Sequence, residues 1–270
     1  MKLPLQKTKS GKVFLVGAGP GDIELLTLKA ARLLAAADVV LIDDLAGDEI
    51  LSLCSQARVI RVGKRGGCKS TPQSFIEKLL VREAQAGHSV VRLKGGDVSL
   101  FGRASEEIAA LEAAGIAFEV VPGVTAGLAA AAELKASLTH RNHAHGVAFI
   151  TAHGAATAAN AAGAEIPWQA LAQSALTLVV YMGVARAASL QANLLAGGLR
   201  ADTPVIAVEN ASRKDARSVC STVASMVDDF ASQSLKSPAV LVIGEAMRER
   251  AFELAGQSSA QDGVAVRVVA

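Results

Sequence analysis

Short runs of β-branched and aliphatic residues recur along the chain, separated by segments whose apolar positions return every three or four residues. The first runs are 12–17 "KVFLVG", 38–42 "DVVLI", 58–62 "RVIRV", 89–93 "SVVRL" and 117–121 "AFEVV". Helical spacing occupies 26–36, 73–86 and 104–114 between them. Strand runs alternating with helical stretches predict a mostly parallel sheet with helices on its faces. The pattern then pauses at "VPGVTAGLAAAAELKASLTHR", Val121 to Arg141, which opens with a Pro-Gly turn and continues as a helix of small residues. A second α/β series follows, with strands near 147–151, 177–181, 204–208, 218–223 and 239–243 and helices near 185–196 and 224–232. This predicts an α/β fold of two domains with mostly parallel or mixed sheets, 11–122 and 123–250, and a weakly ordered tail over 251–270. The segment "HGAATAANAAGAE" is expected to be a loop or short helix, and no internal repeat is found.

Composition narrows the class. The chain has 270 residues, of which 51% are hydrophobic and only 3% aromatic, so the core is aliphatic. No apolar run reaches the ~18 residues that a membrane helix needs. The opening "MKLPLQKTKSGK" is basic and lacks the apolar centre of a secretory signal, so a cytoplasmic protein is expected. A net charge of +2 argues neither for nor against nucleic acid. Cys54, Cys68 and Cys220 form no CxxC pair, and an odd count suits a reducing compartment.

Candidate chemistry begins with "GAGPGD", Gly17 to Asp22, between the first strand and the first helix. A dinucleotide fingerprint would read G-x-G-x-x-G, but Asp22 occupies the third glycine's place. Pro20 removes one N–H from the turn, and Asp22 adds a negative charge where a pyrophosphate would lie. The turn therefore suits a neutral or cationic ligand, or none, in which case it is a tight strand-to-helix connection. A second constellation, "RLKGGDVSLFGRASEE", ends the fourth strand with Gly95-Gly96-Asp97 and brings Arg103 and Glu106 just beyond. Glycines at the C-terminal end of a strand permit close backbone approach, and an aspartate there can accept from an amine or a ribose. Read structurally, Glu106 and Glu107 simply favour a helix N-terminus. "RVIRVGKRGGCK" carries Arg58, Arg61, Lys64, Arg65 and Lys69 with no acid, which fits either an acidic substrate or a solvated loop. Nucleic acid is disfavoured there, because no aromatics lie nearby to stack on bases. "HRNHAHG" offers His140, His143 and His145, with His153 downstream, but no cysteine or carboxylate completes a zinc set, so no metal is expected.

Taken together, "VGAGPGD", "RLKGGD…FGR..EE", "VPGVTAG", "LTHR", "TAH", "VVYMG", "TPVIAVENAS" and "SPAVLVIGE" resemble, in order, the successive blocks of the uroporphyrinogen-III C-methyltransferases. These form a branch of the tetrapyrrole methylase family, and the blocks run roughly from Gly11 to Arg250. The resemblance implies two α/β domains with a ligand cleft between them. It implies S-adenosylmethionine as cofactor, its demethylated form S-adenosylhomocysteine as product, and a homodimer. A sulfonium cofactor without phosphate is compatible with a turn built on Pro20 and Asp22. Carried over by motif, the cofactor residues are Pro20, Gly95, Gly96, Asp97, Thr125, Ala126, Met182, Ala211 and Ala239. The substrate residues are Arg103, Glu106, Arg141, His153 and Met182. The chain departs from the family pattern at Val98, usually proline, at Ala104-Ser105 and at Ala152. It departs again at Asp43-Asp44, where many members carry a "DR" pair.

The implied reaction transfers two methyl groups to C2 and C7 of uroporphyrinogen III, giving precorrin-2 for sirohaem, cobalamin or haem d1 synthesis. The ring carbon is the nucleophile, so the protein's task is alignment, with Arg103 as the candidate catalytic group. A guanidinium stays protonated, which suits a carboxylate clamp or a charge stabiliser better than a base. Two alternatives share the resemblance: a precorrin methyltransferase acting at another carbon, and a tetrapyrrole-binding protein without turnover. A nicotinamide oxidoreductase is disfavoured by the failed fingerprint. No fused dehydrogenase–chelatase segment precedes Gly11, so the later steps are expected to need other proteins.

Overall fold

The computed structural model of the chain describes residues 11–63, 71–152 and 166–262, with side chains to residue 256. The chain divides into two units, the first ending at Ala126 and the second beginning at Gly127. In the first, β1 (Lys12–Gly17), β2 (Val39–Ile42), β3 (Arg58–Arg61), β4 (Ser89–Lys94) and β5 (Ala117–Val121) form a parallel sheet in the order β3-β2-β4-β1-β5. Side-chain alternation sorts each strand between two cores. Val13, Leu15 and Val90 pack with Leu79, Leu80 and Leu111 of α2 (Gln73–Gln85) and α3 (Ala104–Ala113). Val16, Ile42 and Leu93 pack with Ala30 and Leu34 of α1 (Leu28–Ala35). Burying each such leucine or valine fully contributes about 1.5–3 kcal/mol. The connections leaving β1 and β4 therefore run over opposite faces. In open sheets of this kind, ligands bind at the carboxyl ends of the strands beside such a divergence.

The second unit contains β6 (Val147–Thr151), β7 (Thr177–Tyr181), β8 (Pro204–Glu209), β9 (Arg217–Thr222) and β10 (Ala239–Ile243) in the order β6-β7-β10-β8-β9. β6 and β7 pair parallel, while β7–β10, β10–β8 and β8–β9 are antiparallel. This sheet is thus mixed, because the short connection from Glu209 to Arg217 returns the chain beside itself without a crossover helix. α6 (Ala187–Ala196) and α7 (Met226–Ser232) bury Leu190, Leu194, Met226 and Phe230 on the face that carries Leu178, Val180 and Leu241. On the opposite face, Gly127 of α4 (Ala126–Glu133) lies against Phe149, Val179 and Tyr181.

Two helices depart from the sequence expectation. α5 (Trp168–Gln173) was not anticipated. α8 (Arg248–Asp262) runs on past the expected domain end at residue 250, and it packs on β8 and β9. Its first residue also holds Glu245 at 2.7 Å and Asp202 at 3.3 Å. The "HGAATAANAAGAE" segment and 263–270 lie outside the described residues. Among the described residues no helix is long and apolar enough to cross a membrane.

Candidate functional site

In the first unit, β4, β1 and β5 end side by side, and their loops are tied together by backbone hydrogen bonds. Ala18 N–H donates to the Lys94 carbonyl at 2.7 Å, Gly19 to Gly96 at 3.2 Å, and Gly96 back to Gly19 at 2.7 Å. Gly96 makes this turn at φ +71°, a conformation that costs glycine little. Gly17 and Gly123 approach so closely that a Cβ on Gly17 would stand 2.6 Å from the Gly123 nitrogen. The Asp22 carboxylate accepts from Glu24 N–H at 2.8 Å and caps the 3₁₀ turn Ile23–Leu25. Pro20 lacks an N–H, and those of Ala18 and Gly19 are bonded to β4 and its loop, so these three positions of the turn offer no donor to a pyrophosphate. Its donor chemistry fits a neutral or cationic group.

Asp97 locks two of these loops, accepting from Ser99 N–H at 2.8 Å and Gly123 N–H at 2.9 Å. Each carboxylate oxygen keeps a second lone pair for a ligand hydroxyl or amine. Thr125 is buried, and its Cα and the Ala126 nitrogen both lie 3.9 Å from where a Gly96 Cβ would be. Pro20, Gly95, Gly96, Asp97, Thr125 and Ala126 therefore collect at one end of the sheet. Asp43 supports the same end, accepting from Gly95 N–H at 3.2 Å and Ala46 N–H at 3.3 Å. Val98, at the family's proline position, is fully buried in the core with Leu79 and Leu111.

Arg103 is the N-cap residue of α3 and adopts φ +56°. Its guanidinium grips Glu106 through two bonds of 2.7 and 2.6 Å, and both side chains are largely exposed. The Glu106 hydrogen bonds hold the Arg103 proton more firmly, and in turn the Arg103 fork keeps the Glu106 carboxyl below the ordinary glutamate range. Glu107 differs from the helix-end carboxylate expected of it. It is fully buried and ion-paired, with Arg92 Nε at 3.0 Å and Lys94 Nζ at 2.9 Å.

In the second unit, Met182 follows the end of β7, Ala211 follows β8, and Ala239 opens β10. The pairs Val240↔Tyr181 and Ala239↔Glu209 place all three at one end of that sheet. Arg141 lies in the turn closed by the His140↔Ala144 bridge. His143, two residues on, lines a cavity of about 250 Å³ with Leu176 and Gly244, at the other end of the strands. His153 lies outside the described residues, as do Lys64, Arg65, Cys68 and Lys69. Two cations of the basic run pair with acids from other elements, Arg58 with Glu83 at 2.6 Å and Arg61 with Asp48 at 2.8 Å. His140 and His143 stack at 4.6 Å, and among the described residues no group of His, Cys, Asp or Glu is placed to hold a metal ion.

Backbone strain marks the same places. Among the described non-glycine residues with positive φ, Lys135, Ala175 and Ser234 each lie two positions beyond a helix, where such angles are routine. The others are Phe101, Arg103, Met182, Asn210 and Ser212, which flank or include the candidate site residues. Left-handed backbone at non-glycine residues costs roughly 1–3 kcal/mol each and concentrates at functional sites.

Comparisons with known proteins bear on the family and the fold. The family model for tetrapyrrole (corrin/porphyrin) methylases matches residues 12–227. A uroporphyrinogen-III C-methyltransferase of Pseudomonas aeruginosa is 54% identical over 89% of this chain and 96% of its own length. The crystal structure of uroporphyrin-III C-methyl transferase from Thermus thermophilus, complexed with S-adenyl homocysteine, is 40% identical with a TM-score of 0.75. It is matched over 88% of this chain and 99% of that one. The cobalamin biosynthetic enzyme cobalt precorrin-4 methyltransferase follows the same fold at 27% identity and a TM-score of 0.74, over 87% of this chain and 95% of that one. Since the family match runs from β1 into α7, taking in the first sheet and all of the second but β10, and the aligned identity extends over nearly nine-tenths of the chain, the chain belongs to the tetrapyrrole (corrin/porphyrin) methylases.

Proposed function

We propose that this chain transfers two methyl groups from S-adenosylmethionine to C2 and C7 of uroporphyrinogen III, giving precorrin-2. The observation that carries this is the 54% identity to the Pseudomonas aeruginosa uroporphyrinogen-III C-methyltransferase across nearly the whole of both chains. The chemistry of the glycine-lined end of the first sheet supports the cofactor. A turn in which Ala18, Gly19 and Pro20 offer no free N–H, flanked by the Asp97 carboxylate, fits a cationic, phosphate-free ligand. When bound, S-adenosylmethionine supplies the methyl group as an electrophilic carbon on a sulfonium.

The chain's own residues then have positional tasks. Pro20, Gly95 and Gly96 offer backbone without side-chain bulk, and Asp97, fixed by Ser99 and Gly123, presents its remaining lone pairs. Thr125 and Ala126 on the first unit, and Met182, Ala211 and Ala239 on the second, complete the proposed cofactor contacts. The nucleophile is the substrate's own ring carbon, so rate comes mainly from alignment. Arg103 is the proposed catalytic residue and, with Glu106, Met182 and His153, contacts the substrate. A planar fork suits the carboxylates of the tetrapyrrole. Because a guanidinium stays protonated, Arg103 acts as a clamp or charge stabiliser. Arg141 is retained as a substrate residue only through its motif. Calorimetry tests the cofactor half: S-adenosylhomocysteine is expected to bind and NAD not to, whereas NAD binding alone would overturn it. A cytoplasmic homodimer is also proposed, from the aliphatic composition and the family resemblance. A monomer in light scattering at micromolar concentration would contradict it.

A further inference from the structure

The buried charges under the glycine loop call for an explanation. Alternation along β4 places Arg92 and Lys94 on the face that otherwise carries Val90, packed against α2 and α3. Arg92 sits in register between Leu15 and Leu41. Two cations in such a place cost stability unless an acid and hydrogen bonds meet them. Glu107 meets both, Gln73 donates to it at 3.3 Å, and Arg92 also donates to the Leu93 carbonyl at 3.1 Å. Burial, and then Arg92, pull the Lys94 ammonium below the ordinary lysine range against the opposing pull of Glu107.

Lys94 stands where three parts of the candidate site join. Its carbonyl holds Ala18 of the first loop at 2.7 Å. Its chain runs directly into Gly95-Gly96-Asp97. Its side chain passes beneath Gly102, where a Cβ would meet Lys94 Cε at 2.9 Å, and ends on Glu107 in the first turn of α3. Gly102 lies between Phe101 and Arg103, both left-handed, at φ +55° and +56°. A turn of that kind persists only where its surroundings fix it.

We propose that Lys94, through its buried ion pair with Glu107, is a positioning residue that holds the 101–103 turn and so presents Arg103 and Glu106 beside the glycine loops. This rests on the assignment of Arg103 to the substrate, but its structural half can be read without activity. Lys94→Met keeps the stem and removes the ammonium, while Glu107 retains Arg92. Hydrogen exchange of residues 107–110, whose amides bond back to the carbonyls of 103–106, is expected to accelerate about tenfold or more in Lys94→Met. Protection in β1 and β4 is expected to hold.

Kinetically, Lys94→Met is expected to bind S-adenosylhomocysteine as the wild type does and to lose about ten- to a hundredfold in kcat. Because that loss runs through Arg103, Lys94→Met/Arg103→Lys should be no slower than Arg103→Lys alone, to within about twofold. A merely structural lysine would give multiplied losses, and that result overturns the proposal. So does unchanged exchange at 107–110. A wild type that binds no S-adenosylhomocysteine and moves no methyl group would instead remove the functional assignment, with the exchange comparison still deciding the role of Lys94.

Discussion

Replacing Arg103 by lysine keeps the charge and removes the planar fork, so it separates what the arginine does from what any cation would do. The cost to folding is small. Arg103 and Glu106 have side chains 57% and 44% exposed, and an ion pair in that setting is worth about 0.2–1 kcal/mol. The strain at φ +56° is common to both residues and cancels. A melting temperature within about 3 °C of the wild type is therefore expected. If the fork grips a substrate carboxylate or steadies charge in the transition state, one charge-assisted hydrogen bond of ~1.5–3 kcal/mol is lost, which slows turnover by roughly ten- to a hundredfold. Steady-state kinetics with uroporphyrinogen III and labelled S-adenosylmethionine measures kcat and KM separately, and calorimetry with S-adenosylhomocysteine checks the cofactor. Wild-type kcat and KM in Arg103→Lys would remove Arg103 from the site. A kcat loss of many more decades at unchanged KM would mean that Arg103 transfers a proton.

Other changes probe the scaffold beneath that site. Gly123→Ala drives a methyl against Gly96 O and to 2.8 Å from the Gly17 Cα; a loss of about 1–3 kcal/mol in urea unfolding and at least tenfold weaker S-adenosylhomocysteine binding are expected, and wild-type affinity would refute the close-approach argument. Glu107→Gln leaves Lys94 facing a neutral amide and Arg92 with only the more distant Asp43 carboxylate at 3.8 Å, and a loss of about 3–5 kcal/mol in urea unfolding is expected, against less than about 1 kcal/mol if the buried ion pairs are energetically idle. Lys94 has a lowered folded-state value, from burial first and Arg92 second, so between that value and the ordinary 10.5 the unfolded chain binds the proton that the folded chain has released. Stability then rises with pH through that window. The melting temperature of the wild type is therefore expected to gain on that of Lys94→Met as pH is raised toward 10.5, and a constant or shrinking difference would contradict the burial of a charged lysine.

Strands β1 to β10 could be read from runs such as "KVFLVG" and "TLVVY", because buried strands need a β-branched composition that helices lack. The direction of β8, β9 and β10 could not, since parallel and antiparallel neighbours bury the same residues and differ only in how the connections return. α8 was hidden because "RERAFELAGQSSAQD" is polar and its helix depends on docking to β8 and β9. At the site, the glycines and Asp97 were legible as backbone-approach chemistry. The role of Asp22 as a local cap was not, because a carboxylate after a turn reads the same whether it meets a ligand or the next N–H. Glu107 was missed because its partners lie on a strand 13 and 15 residues earlier. A signal did exist: Val90, Arg92 and Lys94 share one face of a central parallel strand, and two cations there require a buried acid. The partners of Arg58 and Arg61 were hidden in the same way, since Glu83 and Asp48 come from other elements than the basic run.

The central claim is double methylation of one substrate at defined carbons. It is tested most directly by incubating the chain with enzymatically prepared uroporphyrinogen III and methyl-labelled S-adenosylmethionine, then counting and locating the labelled methyl groups on the tetrapyrrole by mass spectrometry and NMR. Two labelled methyl groups, at C2 and C7, are expected. Label at any other ring carbon would identify a different member of the family, and S-adenosylhomocysteine binding with no label transferred would identify a tetrapyrrole-binding protein without turnover.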